Sequence, residues 1–223
     1  MSANPAVFLD RDGTLVEPRH YPSRPEDLIL FPEIAPQLRH LRRAGFRLAV
    51  ITNQSGIARG YFTEDDLTRM HVYLRANLHR LGVELDGFFH CPHHPEGTVP
   101  EFAIECDCRK PEPGLLLTAA AQLNIDLASS WFIGDILNDV EAGNRAGCRT
   151  ILVDLGTEAA PTSPIRTPHY VARSTEHALR IVRSVERCGP GVETSYTPAA
   201  WAHTHGERTD LPPTEVSPAR RPA

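Results

Sequence analysis

The sequence lacks the features that mark membrane-spanning, secreted and disulfide-rich proteins. No apolar run approaches the roughly 20 residues that a membrane-spanning helix needs, and the mean hydropathy is -0.29. The first five residues carry neither the basic segment nor the long apolar segment of a secretion signal. Without such a signal, the five cysteines indicate a reducing compartment rather than a disulfide framework. We therefore expect a cytoplasmic protein that does not contact a membrane.

A surplus of basic residues is also missing. Lysine and arginine total 23 against 28 aspartates and glutamates, which gives a formal net charge of -5. Proteins that bind nucleic acids or anionic membranes normally carry a basic surplus. We therefore expect that the protein does not bind nucleic acid. We also expect a monomer whose partner is a small molecule.

The prolines divide the chain into a folded part and a tail. Residues 189–223 contain 6 of the 20 prolines and a single large anchor, Trp201, without any sustained apolar periodicity. Such a segment buries too little surface to offset the entropy lost on ordering it. We predict one domain over residues 1–188 and a disordered tail over residues 189–223. The alternative for the tail is that Trp201 docks as a short linear motif.

Short apolar runs alternate with helix-like segments through the first 188 residues. The runs predict strands at Ala6–Asp10, Phe46–Thr52, Trp131–Gly134 and Thr150–Val153. The other segments predict helices at Glu33–Ala44, Thr63–Leu81, Pro113–Leu123 (with Pro113 as the first helical residue), Leu137–Ala146 and Thr175–Arg187. Such alternation predicts an α/β fold with a parallel sheet that is covered on both faces. Ligands of these sheets bind at the carboxyl ends of the strands.

Two aspartates stand at the end of the first predicted strand, in the run Asp10-Arg11-Asp12-Gly13-Thr14. Like charges in a sheltered site repel each other, so such a pair normally needs a cation or a shared proton. A solvated turn is the alternative, because Asp-Gly is a common turn dipeptide.

Polar residues follow the other predicted strand ends as well. The second strand ends in the run Thr52-Asn53-Gln54-Ser55-Gly56, Arg109 and Lys110 are adjacent cations, and Asp139 follows Asp135 by one helical turn. Taken singly, these features are consistent with a polar turn, a surface charge pair and acids that complement a helix dipole. Taken together and in this order, they predict a site for Mg²⁺ and phosphate.

This order of motifs resembles the haloacid dehalogenase superfamily of phosphatases over roughly residues 6 to 155. The four motifs of that superfamily match Phe8-Leu9-Asp10-Arg11-Asp12-Gly13-Thr14, Thr52, Lys110, and Gly134-Asp135 with Asp139. The resemblance implies a Rossmann-like three-layer α/β fold with a central parallel sheet and no large cap domain. It also implies hydrolysis of a phosphate ester through an aspartyl-phosphate intermediate.

The chemistry of that superfamily gives each matching residue a role. Asp10 would attack phosphorus, and Asp12 would protonate the leaving oxygen and later take a proton from water. Thr52 and Lys110 would hold the phosphoryl oxygens while negative charge shifts during transfer. Mg²⁺ would bind to the carboxylates of Asp10 and Asp135 and to the backbone carbonyl of Asp12.

Three cysteines and a histidine precede the adjacent cations Arg109 and Lys110 in the sequence. They are Cys91, His93, Cys106 and Cys108. Their spacing, C-x-H-x12-C-x-C, fits a closed tetrahedral zinc site that leaves no position open for water. We therefore predict a structural Zn²⁺ that stiffens this loop and fixes Lys110. A disulfide and free buried cysteines are the alternatives, and His94 could replace His93 as the ligand, although His93 is preferred.

The zinc loop narrows the resemblance to the group that contains phosphatases of heptose 1,7-bisphosphate and of histidinol phosphate. Both share the pattern CPH…CxCRKP, and the long loop that begins CPHHPEG at Cys91 is similar to the heptose enzymes. The resemblance implies removal of the 7-phosphate from a heptose 1,7-bisphosphate, for nucleotide-activated heptose synthesis. Histidinol-phosphate phosphatase is the runner-up, and a non-catalytic, zinc-stabilised binding module on the same fold is the alternative from another class.

The same resemblance implies a set of contacts to the phosphorylated sugar. They are Arg19, His20, Tyr21, Asn53, Gln54, Ser55, Arg109 and Lys110. One position departs from the heptose group, which often has a lysine directly after the fourth-motif aspartate, whereas this chain has Ile136. A polar contact beside the site is therefore missing.

Overall fold

The computed structural model describes residues 3–188 of the chain. The predicted tail over residues 189–223, including Trp201, lies outside the described residues. Within the described range, no helix is long and apolar enough to cross a membrane.

The described residues contain a six-stranded parallel sheet. Its strands are β1 (Ala6–Leu9), β2 (Arg47–Asn53), β3 (Gly87–Cys91), β4 (Trp131–Gly134), β5 (Arg149–Val153) and β6 (Tyr170–Ala172). Their spatial order is β3-β2-β1-β4-β5-β6, and each neighbouring pair is parallel. From β1 the chain adds strands first on one side (β2, β3) and then on the other (β4, β5, β6), so the strand order reverses between β1 and β4. Ligands of open α/β sheets bind at such a switch point.

Helices cover both faces of this sheet. They are α1 (Ile34–Arg43), α2 (Glu64–Arg80), α3 (Gly114–Leu123), α4 (Leu137–Ala146) and α5 (Thr175–Cys188), with short 3₁₀ helices at Pro25–Asp27, Leu127–Ser129 and Pro164–Arg166. Buried side chains of α1, α2 and α5 join the larger hydrophobic cluster, and those of α3 join a second cluster. The sheet therefore lies between two helical layers.

Strand β1 explains why both layers form. All four of its residues are buried, because Val7 and Leu9 pack into the larger cluster while Ala6 and Phe8 pack into the second. A strand covered on both faces has a continuous apolar sequence rather than an alternating one. The predicted three-layer α/β fold with a central parallel sheet is confirmed.

The predicted strands and helices are confirmed to within one residue at each end. Helix α3 begins at Gly114, so Pro113 caps this helix and the prediction of Pro113 as its first residue is wrong by one position. The sequence does not predict β3 or β6. In β3 only Cys91 is fully buried, as befits a strand at the edge of a sheet, and β6 has only three residues. Neither gives the long apolar run by which buried strands are found in a sequence.

Candidate active site

The polar residues predicted at separate strand ends lie together at the carboxyl ends of the strands. Strand β1 lies between β2 and β4, so the residues that follow these strands are neighbours. Lys110, from the loop before α3, inserts its ammonium group among them. Its Nζ donates to Asp10 Oδ1 at 2.7 Å and to the backbone carbonyl of Ile51 at 3.1 Å. It also lies 2.6 Å from Asp139 Oδ1, and the Lys110 side chain is only 2% exposed.

Three carboxylates surround this lysine. One oxygen from each of Asp10, Asp135 and Asp139 lies within 4.8 Å of the others. Burial, together with the neighbouring acids, raises the pKa of Asp135. Burial also raises the pKa of Asp139, although Lys110 opposes this shift. Three acids beside one ammonium group leave an excess of negative charge, so the donor set suits a hard divalent cation such as Mg²⁺.

The structure adds Asp139 to the residues that can hold a cation. The sequence places it one helical turn after Asp135, but its buried contact with Lys110 depends on how α4 packs against the loop. Burial alone would lower the pKa of Lys110, but the carboxylates of Asp10 and Asp139 outweigh burial and raise it. The lysine therefore stays charged.

Two glycines allow the acids to approach so closely. Gly13 has a φ of +78°, and a Cβ atom placed there would lie 2.2 Å from Asp135 Oδ2. A Cβ atom on Gly134 would lie 2.2 Å from Asp139 Oδ2. Both distances are far inside van der Waals contact, so any side chain at either position would displace a carboxylate.

The Asp12 carboxylate accepts hydrogen bonds from a set of donors. Its Oδ2 accepts from Arg11 Nε at 3.0 Å, from Arg11 Nη2 at 2.8 Å and from Gln54 Nε2 at 3.2 Å. Gln54 also donates to Thr52 Oγ1 at 2.8 Å. Burial raises the pKa of Asp12, and the charge of Arg11 opposes this shift. The predicted residues Asp12, Thr52 and Gln54 are therefore brought together.

Asn53 holds the backbone of Lys110 from both sides. Its Nδ2 donates to the Lys110 carbonyl at 3.0 Å, and its Oδ1 accepts from the Lys110 amide at 3.0 Å. Both polar atoms of this side chain are thus engaged within the protein. Its role as a substrate contact stays a prediction, whereas its role in placing Lys110 follows from the geometry.

The predicted zinc cluster is assembled. The sulfurs of Cys91, Cys106 and Cys108 lie 3.2 to 3.6 Å apart, and His93 Nδ1 lies 3.7 Å from Cys91 and 3.4 Å from Cys108. In a tetrahedral zinc site with Zn–S bonds of about 2.3 Å, sulfurs lie about 3.8 Å apart. The donor set therefore fits Zn²⁺. Burial raises the pKa of the Cys91 and Cys108 thiols, so a bound metal must displace their protons.

His93, not His94, completes this cluster. The His94 ring faces Arg59 instead, with Nε2 3.1 Å from Arg59 Nη2, and its Nδ1 accepts from the Glu96 amide at 3.1 Å. Cys148 is buried apart from the cluster, in the core beside α3.

Backbone hydrogen bonds join the zinc loop to the loop after β2. The Ala58 carbonyl accepts from the amides of Thr98 and Val99 at 2.7 and 2.9 Å, and the Gln54 amide donates to the Cys91 carbonyl at 2.7 Å. The loop that carries Cys108 continues directly into Arg109 and Lys110. Arg109 donates to the His93 carbonyl at 3.3 Å. The metal cluster and the lysine are therefore parts of one connected segment.

The remaining predicted contacts lie on the surface. Arg19 and His20 are exposed, while Tyr21 is half-buried with a φ of +49°. The Tyr21 ring packs edge-on against His20 and against Tyr61, with centroids 4.6 and 4.7 Å away. Tyr61, at 56% exposure, gives no sequence signal that sets it apart from an ordinary surface residue.

The position that departs from the heptose group is half-buried. Ile136 precedes the first residue of α4 and stands directly beside Asp135. No polar side chain occupies this place next to the acids.

Comparison with known proteins finds phosphatases as relatives. Residues 107–178 match the model of a family described as HAD-hydrolase-like. The D-glycero-β-D-manno-heptose-1,7-bisphosphate 7-phosphatase of Escherichia coli K12 is 44% identical over 158 residues, which cover 70% of this chain and 83% of that protein. The protein of the same name from Pasteurella multocida is 38% identical over 182 residues, which cover 81% of this chain and 98% of that protein.

A solved structure is similar over most of its length. It is the crystal structure of D,D-heptose 1,7-bisphosphate phosphatase from B. bronchiseptica, complexed with magnesium and phosphate. The TM-score is 0.67 with 28% sequence identity, and the match covers 81% of this chain and 98% of that one.

We predict that a divalent cation stabilises this protein more strongly at higher pH. Unfolded carboxyl groups titrate near pH 4, whereas the folded Asp135 and Asp139 hold their protons to higher pH. Without a cation, these groups therefore lower the folded state's stability as the pH rises above about 4, and bound Mg²⁺ opposes that loss. Melting temperatures with and without MgCl₂ should show the larger increase at about pH 8 and the smaller at about pH 5.5.

The control for this measurement is Asp135→Asn, which keeps the shape of the side chain but removes its charge. The magnesium-dependent increase in melting temperature should then be small at both pH values. An equal increase at both pH values in the unmodified protein would contradict the prediction.

Proposed function

The chain belongs to the D-glycero-β-D-manno-heptose-1,7-bisphosphate 7-phosphatase family of HAD-like phosphatases, and on that basis we propose that it removes the 7-phosphate from a heptose 1,7-bisphosphate. It is a phosphoric monoester hydrolase by this membership. The observation that carries the proposal is the buried contact of Lys110 with Asp10, beside Asp135 and Asp139. A degenerate, non-catalytic relative would have no reason to keep so costly an arrangement.

Asp10 is the proposed nucleophile. Lys110 donates to its Oδ1 at 2.7 Å and so holds this carboxylate in place. Its oxygen forms a bond to phosphorus while the bond from phosphorus to the sugar oxygen breaks, which leaves an aspartyl-phosphate. Water then attacks the same phosphorus and releases Asp10 with inorganic phosphate.

Asp12 is the proposed acid and base. In the first step it gives a proton to the departing sugar oxygen, and in the second it takes one from the attacking water. Its raised pKa favours the protonated form that the first step needs. Thr52 and Lys110 would bind the phosphoryl oxygens, and both are almost completely buried, so their interactions are weakly screened.

The proposed magnesium ligands are the carboxylates of Asp10 and Asp135 and the backbone carbonyl of Asp12. Mg²⁺ bound there would neutralise charge on the phosphate and on the neighbouring acids. Asp139 shares the cluster but lies 2.6 Å from Lys110, so its main role is to hold the lysine.

The proposed zinc ligands are Cys91, His93, Cys106 and Cys108. Four protein ligands leave no position for water, so this Zn²⁺ is structural. Thiolate ligands survive in a reducing compartment, which agrees with a cytoplasmic enzyme. Because one chain supplies both ligand sets, we further propose that the enzyme acts as a monomer.

The sugar would lie over the surface loops at the carboxyl ends of the strands. The contacts we propose are Arg19, His20 and Tyr21, which belong to the loop after β1, and Arg109, which belongs to the zinc loop. Arg109 carries the cation that an anionic sugar phosphate requires. Ser55 and Gln54, in the loop after β2, supply further polar groups.

We predict that Asp10→Asn abolishes turnover. An amide is a poor nucleophile, so kcat should fall on the order of 10⁴-fold or more. Rapid acid quenching with radiolabelled substrate should trap phosphate on the unmodified protein and none on the variant. Asp65→Asn, which changes an exposed aspartate of α2, is the control and should retain full activity. Trapped phosphate on Asp10→Asn would refute the assignment of the nucleophile.

Substrate specificity is tested with a panel of phosphorylated metabolites. We expect kcat/KM for the heptose 1,7-bisphosphate to exceed that for histidinol phosphate by about tenfold or more, since the bisphosphate brings a second anion to the cationic loops. The measurement is phosphate release over a range of substrate concentrations. Faster turnover of histidinol phosphate would overturn the proposed heptose substrate and favour a histidinol-phosphate phosphatase.

Removal of a zinc ligand should disable the enzyme through Lys110. We expect Cys106→Ala to bind less than about half an equivalent of zinc and to lose activity that added Mg²⁺ does not restore, because the loop that places Lys110 loosens. Zinc content by elemental analysis and phosphate release are the two measurements. Cys148→Ala, outside the cluster, should keep both zinc and activity, and a full equivalent of zinc in Cys106→Ala would contradict the ligand set.

A further inference from the structure

Arg11 is the largest buried charged side chain of the described residues, and the proposed chemistry gives it no role. It stands between Asp10 and Asp12, and its side chain is 0% exposed. Burial of a guanidinium group is costly unless it is paired and hydrogen-bonded. Its place beside the reacting groups therefore calls for an explanation.

The geometry of the pair is one-sided. Arg11 Nε and Nη2 both donate to one oxygen, Asp12 Oδ2, which also accepts from Gln54 Nε2. The other oxygen, Asp12 Oδ1, is buried and has no hydrogen-bond partner among the described residues. Three donors thus hold the carboxylate through Oδ2.

The surroundings of Arg11 offer it no second anion within hydrogen-bonding distance in the described part of the chain. Its Nη1 is buried without a partner. His71 of α2 lies nearby, and burial together with the charge of Arg11 lowers its pKa to about 3, so this ring is neutral. The His71 ring stacks on Phe88 of β3 with centroids 4.5 Å apart.

These contacts restrict the rotation of the Asp12 carboxylate. If Asp12 turned away, the guanidinium would be left buried without its charged partner, which is strongly unfavourable. A lysine would not impose the same restriction, because its single ammonium group is a point charge on a flexible stem, whereas guanidinium presents two donors in a rigid plane.

We propose that Arg11 is a positioning residue that fixes the Asp12 carboxylate through Oδ2 and so orients it for proton exchange. The inference rests on the proposed role of Asp12 as acid and base. In the first step the bond from phosphorus to the sugar oxygen breaks, its electron pair goes to that oxygen, and the oxygen takes the proton from the Asp12 carboxyl group. In the second step the oxygen of water bonds to phosphorus, the bond to Asp10 breaks, and the proton of water goes to the Asp12 carboxylate.

The test exploits the leaving group. A sugar alkoxide leaves only with a proton, whereas p-nitrophenolate leaves without one, so loss of a positioned acid slows transfer from the sugar alone. Single-turnover rates of phosphoryl transfer to Asp10 are measured by rapid quenching for the heptose bisphosphate and for p-nitrophenyl phosphate. The variants are Arg11→Gln and Arg11→Lys, with Asp12→Asn as the reference for a missing acid.

We expect Arg11→Gln to slow transfer from the sugar phosphate by about 10- to 100-fold and transfer from p-nitrophenyl phosphate by less than about threefold. The rate of transfer from the sugar phosphate in Arg11→Lys should lie between those of Arg11→Gln and the unmodified protein. Arg75→Gln is the matched control. It removes an exposed arginine of α2 whose guanidinium lies 5.2 Å from the centroid of the Phe88 ring, and it should change neither rate. The Arg11→Lys variant keeps the buried charge and so remains informative if Arg11→Gln fails to fold.

The outcomes separate this inference from the proposed function. If Asp12→Asn loses the sugar reaction selectively but the Arg11 variants slow both substrates equally or neither, the inference about Arg11 is overturned and the role of Asp12 stands. If Asp12→Asn shows no selective loss, the role of Asp12 is wrong and the inference is overturned with it. A purely structural role of Arg11 would slow both reactions alike.

Discussion

The contact of the Lys110 ammonium group with the surrounding acids is the interaction on which the active site depends. The lysine is almost completely buried, with Asp10 at 2.7 Å and Asp139 at 2.6 Å. Neither side of this contact is stable alone, because a buried cation and a cluster of buried carboxylates each need the opposite charge. The acids come from the ends of regular strands and the start of a helix. The lysine comes from an irregular loop, so the fold must hold that loop as firmly as it holds the sheet.

Two different devices hold the loop. Near the lysine, Asn53 pairs with both backbone groups of Lys110, which ties the loop to the end of β2. Further back, the Cys91, His93, Cys106 and Cys108 cluster gathers a segment that contains no helix or strand between Pro92 and Pro113. Such a segment has little apolar surface to bury, and a metal can supply the cross-links that a hydrophobic core supplies elsewhere. The apolar core and the donor clusters thus stabilise different parts of the same site.

Much of this arrangement could be predicted from the sequence, for identifiable reasons. The central strands are covered on both faces and so have continuous apolar sequences, and the motif residues stand directly at their ends. Strands β3 and β6 give no such signal, because one lies at the sheet edge and the other is very short. The sequence prefers His93 but leaves His94 open, because adjacent histidines have the same chemistry; the coordinates place His93 beside the sulfurs and His94 against Arg59. The contact of Asp139 with Lys110 and the burial of Arg11 are long-range packing results, which a motif does not encode.

Gly13 and Gly134 leave the space that the carboxylates occupy. At Gly13 and Gly134 a single added carbon would occupy the volume of an acid oxygen. A protein engineer who transplanted this site onto another sheet would therefore have to copy two empty volumes along with the charged side chains. Grafts that reproduce the aspartates and the lysine on an ordinary backbone would hold the same charges at greater separations.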